Sequence, residues 1–465
     1  MGFGFLVLGL VLCNSAFFGG LNLGAGLFAS LTLCLSAGYL LRTGHKLTGY
    51  SAALLLCALV LCASFARSDD AFMKFITFCL TLISANLGLC LLAGQNRRDP
   101  GKFLSLLDVP RTVFILGVGQ IGPCSRGVIR CFRNSGTTGK NSAAVAVGLL
   151  AVIPLLAILI PLLAGADAAF EGLLQLLPEW DFVELFTTLL FGTPLAVFLF
   201  IRTTALRYTP KQMPARQFRG CVHPFTVHTV LAGVSVVYAV YLISQLAYFS
   251  GGFSGILPEG YTAAEYARRG FFEMAWLCAI NLTVMTLAVS LVSKNPTTPA
   301  LTRLLCLFIG IVTLFLVASA IAKMFLYIHS YGLTRLRVLT QVIIFFLGIT
   351  TVVVCVWLFA PKLPYMKLIL ITALLMGAAV AWTDVDTLVA RYNVTAYQTG
   401  RLEQIDVDYL DELGMGAIPY IARLTEDSDP AVANRSLLCL KEGYFDLVDD
   451  FRDWNIASAA AEKHL

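Results

Sequence analysis

Long apolar runs separated by short polar connections dominate the hydrophobic pattern of this chain. A helix needs about 20 mostly apolar residues to cross a hydrocarbon core of about 30 Å, and eleven runs approach that length. We therefore predict membrane helices at 3–18, 22–41, 50–66, 72–94, 143–164, 182–201, 224–249, 270–293, 304–328, 338–360 and 364–383. The first and third runs are short, so the count falls to nine or ten if either is re-entrant or interfacial.

Composition supports the same fold class. Hydrophobic residues make up 58% of the chain and charged residues only 13%, about half the share in soluble domains. The chain is predicted to be an all-α integral membrane protein with about 11 transmembrane helices and a small helical C-terminal soluble tail. Most of the 13 cysteines lie inside apolar runs, where a thiol acts as a small hydrophobic group. We expect no cofactor.

The pattern divides the chain into four predicted segments. Residues 1–94 hold the N-terminal membrane helices, 95–142 a basic cytoplasmic loop with interfacial helices, 143–383 the membrane core, and 384–465 an acidic helical tail outside the cytoplasm. The opening run lacks a basic segment before it, so we interpret it as the first span and not as a cleaved signal. In the tail, the spacing of apolar residues predicts short helices near Gly414 and a further helix beginning at Pro430.

Basic residues in short loops predict the orientation, because such loops favour the cytoplasmic side. The loop 95–142 and the connection 202–223 are basic, and the connection 165–181 between them contains only acidic charges. Counting spans outward from these loops places the N-terminus inside and the C-terminal tail outside. Residue Arg202 belongs to the second basic loop in this reading.

Several basic residues lie on the predicted outer side, contrary to the preference of basic residues for the cytoplasmic side. We hypothesise an external polar cluster that joins the last four spans and binds a ligand. Its candidate ligand-binding residues are Glu265, Arg268, Arg269, Glu273, Lys323, His329, Arg335, Arg337, Asp384 and Asp386. Charged groups at membrane depth cost about 2.5–3.5 kcal/mol on insertion scales, so they are usually paired or functional. Alternatively, these side chains extend to the lipid headgroups and fix the helix ends.

Three motifs carry a resemblance to a known group of proteins. They are Tyr266-Ala-Arg-Arg-Gly-Phe-Phe-Glu273, Tyr331-Gly-Leu-Thr-Arg335-Leu-Arg337 and Asp384-Val-Asp386-Thr-Leu-Val-Ala-Arg391-Tyr-Asn393. Over roughly residues 180–425 the chain resembles bacterial polytopic membrane proteins of domain-of-unknown-function family 4173, close to family 4153. The resemblance implies a bacterial cytoplasmic membrane location and implies that the three motifs form one feature. It implies no particular activity.

Other apparent motifs carry less weight. The glycines at 117, 119 and 122 fit a dinucleotide-binding turn, but the strand and helix that such a turn requires are not predicted here. The thiols of Cys124, Cys131 and Cys221 and the imidazole of His223 have spacings unlike those of structural zinc sites. We therefore expect no metal. The sequence also lacks the common catalytic motifs.

Two functions remain open from the sequence. The first is a non-catalytic module for transport, sensing or envelope assembly, with an external site for an anionic or zwitterionic ligand. The second is a membrane-embedded envelope enzyme that acts on a lipid-linked or phosphate-bearing substrate, with Glu273 or Asp384 as general base and Arg268, Arg335 or Arg337 neutralising a phosphate. The expected partners are the lipid bilayer and, through anionic headgroups or the tail, lipids or an envelope protein. We expect no nucleic acid partner.

Overall fold

The structure is a computed structural model that describes residues 2–67, 69–95, 182–208, 222–252, 271–293, 298–442 and 454–464, together with a few single positions between 110 and 166. Nearly all of the interfacial helices predicted at 103–132 and of the apolar run at 143–164 lie outside these residues. Within them the chain is helical apart from turns and one isolated bridge between Val222 and Val292.

Ten helices coincide with predicted apolar runs. They are α1 (Gly2–Phe18), α2 (Leu23–Arg42), α3 (Gly49–Ser64), α4 (Ala71–Leu92), α5 (Phe182–Tyr208), α6 (Pro224–Gly252), α7 (Phe271–Leu291), α8 (Ala300–Tyr331), α9 (Arg335–Phe359) and α10 (Tyr365–Thr383). The tail contains α11 (Val385–Gln398), α12 (Val407–Asp411), a 3₁₀ turn (Gly414–Ala417), α13 (Ile418–Leu424), α14 (Pro430–Glu442) and α15 (Ile456–Ala461). The helix predicted to begin at Pro430 is confirmed.

Eight helices among the described residues are long and apolar enough to cross a membrane. They are α2 and α4 to α10, whereas α1 and α3, with 17 and 16 residues, are shorter apolar helices. The protein is therefore a multi-pass, all-α membrane protein. The predicted end of the sixth run at residue 201 is wrong, because α5 continues to Tyr208. Arg202 consequently lies inside a helix and not in a loop.

The chain forms two compact units, and the first contains α1 to α5 together with α15. Helices α1 and α5 pack antiparallel, with the rings of Phe5 and Phe200 6.2 Å apart and those of Phe17 and Phe191 5.0 Å apart. The short helix α15 begins beside the end of α3, where the Ile456 N–H donates to the Ala66 carbonyl at 2.9 Å. Helix α15 thus belongs to the same unit as the N-terminal helices.

The second unit contains α6 to α14. A buried polar chain crosses its membrane helices: the Tyr238 hydroxyl donates to Asn281 Oδ1 at 2.6 Å, and Asn281 Nδ2 donates to Thr313 Oγ1 at 3.0 Å. One apolar cluster continues from these helices into the tail, where Leu410 and Leu424 are fully buried. The soluble tail helices therefore pack on the membrane core of this unit.

Candidate functional site

The turn between α8 and α9 depends on a glycine in the left-handed region. Gly332 has a φ of 74°, which glycine adopts readily and residues with a Cβ rarely do. A Cβ at this position would also lie only 2.7 Å from Asn393 Oδ1. Thr334 then caps α9, because its side chain accepts a hydrogen bond from the Arg337 N–H at 3.3 Å. The turn is thus tightly specified by local sequence.

Asn393 of α11 holds this turn through both the oxygen and the nitrogen of its side-chain amide. Its Oδ1 accepts the Leu333 N–H at 2.7 Å, and its Nδ2 donates to the Leu333 carbonyl at 2.8 Å. Both residues are buried. The two hydrogen bonds satisfy the buried N–H and carbonyl of Leu333, which would be costly to bury without partners.

Arg335 connects the first turn of α9 to two segments of the tail. Its Nε donates to Asp386 Oδ1 at 2.6 Å, and its backbone N–H donates to the Tyr409 hydroxyl at 2.9 Å. The Asp386 side chain is only 5% exposed, compared with 32% for Arg335. We call residues 331–337, 384–393 and Tyr409 the Arg335 junction. Burial raises the pKa of Tyr409, and the nearby Arg335 opposes this rise only in part.

Asp384 turns the chain from the last membrane helix into the tail. It has a φ of 51° and is the N-cap of α11. Its Oδ2 accepts from the Thr387 hydroxyl at 2.7 Å, and the same hydroxyl lies 3.2 Å from the Gly416 carbonyl oxygen. The buried carboxylate of Asp384 therefore fixes the start of the tail.

Arg337 stabilises the end of α8. Its Nη1 donates to the carbonyls of Tyr331, at 2.9 Å, and of Gly332. Its guanidinium lies 4.1 Å from the centre of the Tyr327 ring, a distance typical of a cation–π contact. A cation at a helix C-terminus also interacts favourably with the helix dipole.

The structure brings together four of the sequence-predicted site residues, namely Arg335, Arg337, Asp384 and Asp386. Glu273 is exposed in the first turn of α7, and His329 is exposed in the last turn of α8. Lys323 is partly buried in α8, about 12 Å along the helix from Tyr331 at 1.5 Å per residue. Glu265, Arg268 and Arg269 lie outside the described residues.

Sequence reasoning missed three contributors to the junction and one further polar cluster. Asn393, Thr387 and Tyr409 were not among the candidates, although Asn393 ends one of the quoted motifs. In the first unit, the buried Lys74 donates to Asn22 Oδ1 at 2.5 Å and to Asp69 Oδ1 at 3.0 Å. The sequence signal for this cluster was the acidic pair Asp69 and Asp70, which precedes Lys74 by five and four residues at the start of an apolar run.

The described residues contain no group of three or more His, Cys, Asp or Glu side chains arranged to hold a metal ion. Cys124, Cys131 and Cys221, which the sequence offered as ligands, are outside that part of the chain, whereas His223 is exposed within it.

A comparison with known proteins identifies the family to which this chain belongs. No curated protein and no solved structure matches the chain. The model of one family, described as domain of unknown function DUF4153, matches residues 2–424. The match reaches far beyond the region around 180–425 that carried the resemblance and includes the N-terminal helices. Because it covers most of the 465 residues, the chain belongs to the DUF4153 family.

Proposed function

We propose that this protein is a non-catalytic membrane module for transport, sensing or envelope assembly, with a polar, anion-friendly site on its extracytoplasmic side. The Arg335 junction is the observation that carries the proposal. Through Arg335, a turn between two membrane helices contacts both Asp386, at the start of the tail, and Tyr409, deeper in the tail. A ligand that binds at this turn would therefore act directly on the position of the tail.

The proposed topology has eleven spans in a bacterial cytoplasmic membrane. The eight long helices, the shorter α1 and α3, and the apolar run at 143–164 add up to this number. The N-terminus lies inside and the tail outside. One feature supports this orientation: the basic loop 95–142 and the basic connection after Tyr208 are separated by one acidic connection.

The basic groups at the surface of the junction favour an anionic or zwitterionic ligand. The turn between α8 and α9 and its flanks contribute His329 and Arg337, while Arg335 pairs with Asp386 and the carboxylate of Asp384 caps α11. His329 is exposed and Arg337 is partly so. Guanidinium groups bind phosphate and carboxylate well because their planar array of donors matches paired oxygens.

The same geometry supports a non-catalytic role over the enzymatic alternative. Asp384, which would serve as a general base in that alternative, is buried and caps α11. A general base must reach the proton that it removes. A carboxylate that is committed to holding a helix start is poorly suited to that task.

Anion binding is tested with inorganic pyrophosphate and the purified full chain in neutral detergent. A ligand present at ten times its Kd stabilises the folded state by about 1.4 kcal/mol, so we expect a rise in Tm for the wild type. The double variant His329→Gln with Arg337→Gln should lose this rise, whereas Arg401→Gln, an exposed residue beyond the end of α11 and outside the junction, should keep it. Absence of stabilisation in the wild type, or its persistence in the double variant, would contradict the anion site.

A further inference from the structure

Three helices of the first unit end together on a framework of side-chain hydrogen bonds. Ser36 of α2 and Thr203 of α5 lie 3.2 Å apart at their hydroxyl oxygens. Beyond α4, Gln95 Nε2 donates to the Leu206 carbonyl at 3.2 Å, and Arg207 Nη1 donates to the Tyr39 hydroxyl at 2.9 Å. These contacts define the basic end of unit 1, formed by residues 36–46, 86–95 and 202–207.

Arg202 lies within this framework and has a neutral partner. Its Nη2 donates to Asn86 Oδ1 of α4. Its Nε is buried and has no hydrogen-bond partner among the described residues. The side chain as a whole remains partly exposed, so other atoms of the residue are reachable from outside the unit. A guanidinium has five N–H donors, and an amide oxygen satisfies only a small part of them.

Among the described residues, the charged side chains at the end occupied by Arg202 are basic. The carboxylates among the described residues of unit 1 are those of Asp69, Asp70, Glu184 and Glu462. Asp70 and Glu184 begin α4 and α5, which run in the same direction and end near Arg202. Glu184 precedes Arg202 by 18 residues, or about 27 Å of helix. The basic residues at the end occupied by Arg202 are Arg42, His45, Lys46 and Arg207.

The depth of Arg202 fits a lipid headgroup. Helix α5 has 27 residues and is about 40 Å long, roughly 10 Å more than a hydrocarbon core. Arg202 lies five residues before Arg207, or about 7.5 Å from that end of the candidate span. It therefore falls near the boundary between hydrocarbon and headgroups. Basic pockets between membrane helices on the cytoplasmic side are known to bind anionic headgroups.

We propose that Arg202, oriented by Asn86, binds a phosphate group at the basic end of unit 1. A guanidinium at membrane depth whose Nε is buried, and which has no carboxylate partner among the described residues, is unfavourable, and a phosphate would supply both the opposite charge and paired acceptor oxygens. The phosphate belongs either to an anionic phospholipid or to a free phosphate ion. This site is separate from the Arg335 junction and does not depend on the function proposed for that junction.

The experiment measures lipid binding to the purified full chain by native mass spectrometry in neutral detergent. The probes are phosphatidylglycerol, phosphatidylcholine and inorganic phosphate. We expect wild type to retain phosphatidylglycerol over phosphatidylcholine, and Arg202→Gln to bind it about tenfold more weakly, as expected for one charge-assisted hydrogen bond. The charge-matched control Arg42→Gln, an exposed residue of the same end, should stay within about threefold of wild type.

Each outcome bears on the proposal. Stabilisation of wild type but not of Arg202→Gln by inorganic phosphate, without a lipid preference, would identify the free ion as the source. Equal phosphatidylglycerol affinity in wild type and Arg202→Gln, with no phosphate effect, would overturn the site. An equal loss in Arg42→Gln would do the same, because it would reduce the effect to surface charge. If Arg202→Gln does not fold, Arg202→Lys replaces it, and wild-type affinity in that variant would also refute guanidinium recognition.

Discussion

Arg335 and Arg202 both lie in helices long enough to span the membrane, yet their surroundings differ in one respect. Arg335 contacts the buried carboxylate of Asp386 at 2.6 Å. Arg202 contacts the neutral amide of Asn86, and the described acids of its unit lie at the opposite end. The first arginine is thus neutralised by a carboxylate of its own unit, whereas the second has no carboxylate partner among the residues that the structure describes.

This difference separates two uses of a membrane arginine. A paired arginine fixes one arrangement of segments, because removing either partner leaves an uncompensated charge. An arginine without a carboxylate has an incomplete environment that an anion from outside can complete. We therefore expect variants of the Arg335–Asp386 pair to change stability and the docking of the tail, and variants of Arg202 to change phosphate binding.

The largest expected effect follows from Asp386→Asn, which leaves Arg335 without its carboxylate. Breaking a buried pair costs about 3–5 kcal/mol, and we expect the lower end, about 3 kcal/mol, because Arg335 is partly exposed. The measurement is the free energy of unfolding in mixed micelles. The exchange Arg335→Asp with Asp386→Arg should recover part of the loss.

The exposed pair between Arg435 and Asp408 gives a matched control for this prediction. Its atoms are 2.5 Å apart, but the two side chains are 48% and 70% exposed. Exposed pairs contribute little to stability because solvent screens them, so Asp408→Asn should leave the unfolding free energy close to that of the wild type. Equal losses in Asp386→Asn and Asp408→Asn would show that burial does not distinguish the two pairs.

Gly332→Ala should have the second largest effect. Alanine in the left-handed region costs about 1–2 kcal/mol, and the new Cβ would displace the Asn393 side chain from Leu333, adding about 1 kcal/mol for a disturbed hydrogen bond. The expected loss of unfolding free energy is about 2–3 kcal/mol. The control is Gly38→Ala in α2, where a Cβ meets no atom within 4 Å and alanine is the better helix former. Destabilisation by both substitutions alike would argue against a special role for the turn.

Asn393→Ala tests the backbone clamp alone. It removes the partners of the buried Leu333 N–H and carbonyl, and leaving such groups unsatisfied costs about 1–3 kcal/mol. We expect a loss of about 2 kcal/mol and faster hydrogen exchange at the Leu333 amide. Asn434→Ala, at an exposed position of α14, should change neither quantity. Unchanged exchange at Leu333 in Asn393→Ala would contradict the clamp.

The apolar pattern predicted ten helices of the described residues, eight of which are long and apolar enough to span a membrane. The run predicted at 364–383, for example, forms a helix at Tyr365–Thr383. Span length is fixed by the thickness of the hydrocarbon core, which is a local constraint that a sequence records directly. The end of α5 was placed seven residues too early, because Arg202 and Arg207 interrupt the apolar pattern although the helix continues to Tyr208.

Contacts within the candidate site were harder to predict, because they join segments far apart in sequence. Arg335 and Asp386 are 51 residues apart, and Arg202 and Asn86 are 116 apart. Charge balance and the resemblance indicated that 331–337 and 384–393 belong together, but neither gives atomic partners. For Arg202 there was no signal, because a single arginine at the end of an apolar run is indistinguishable from a loop residue.

The smallest expected effect concerns pH at the Arg335 junction. Burial raises the pKa of Tyr409 above its usual value of about 10, so the folded state favours the neutral phenol over its anion. This contribution to stability is fully present below pH 10 and is lost as the pH rises through the higher folded value. Tyr409→Phe should therefore flatten the decline of Tm above pH 10. A steeper alkaline decline in Tyr409→Phe than in wild type would show that the phenol is not held neutral, and would weaken the view that Tyr409 joins the tail to Arg335 in a closed environment.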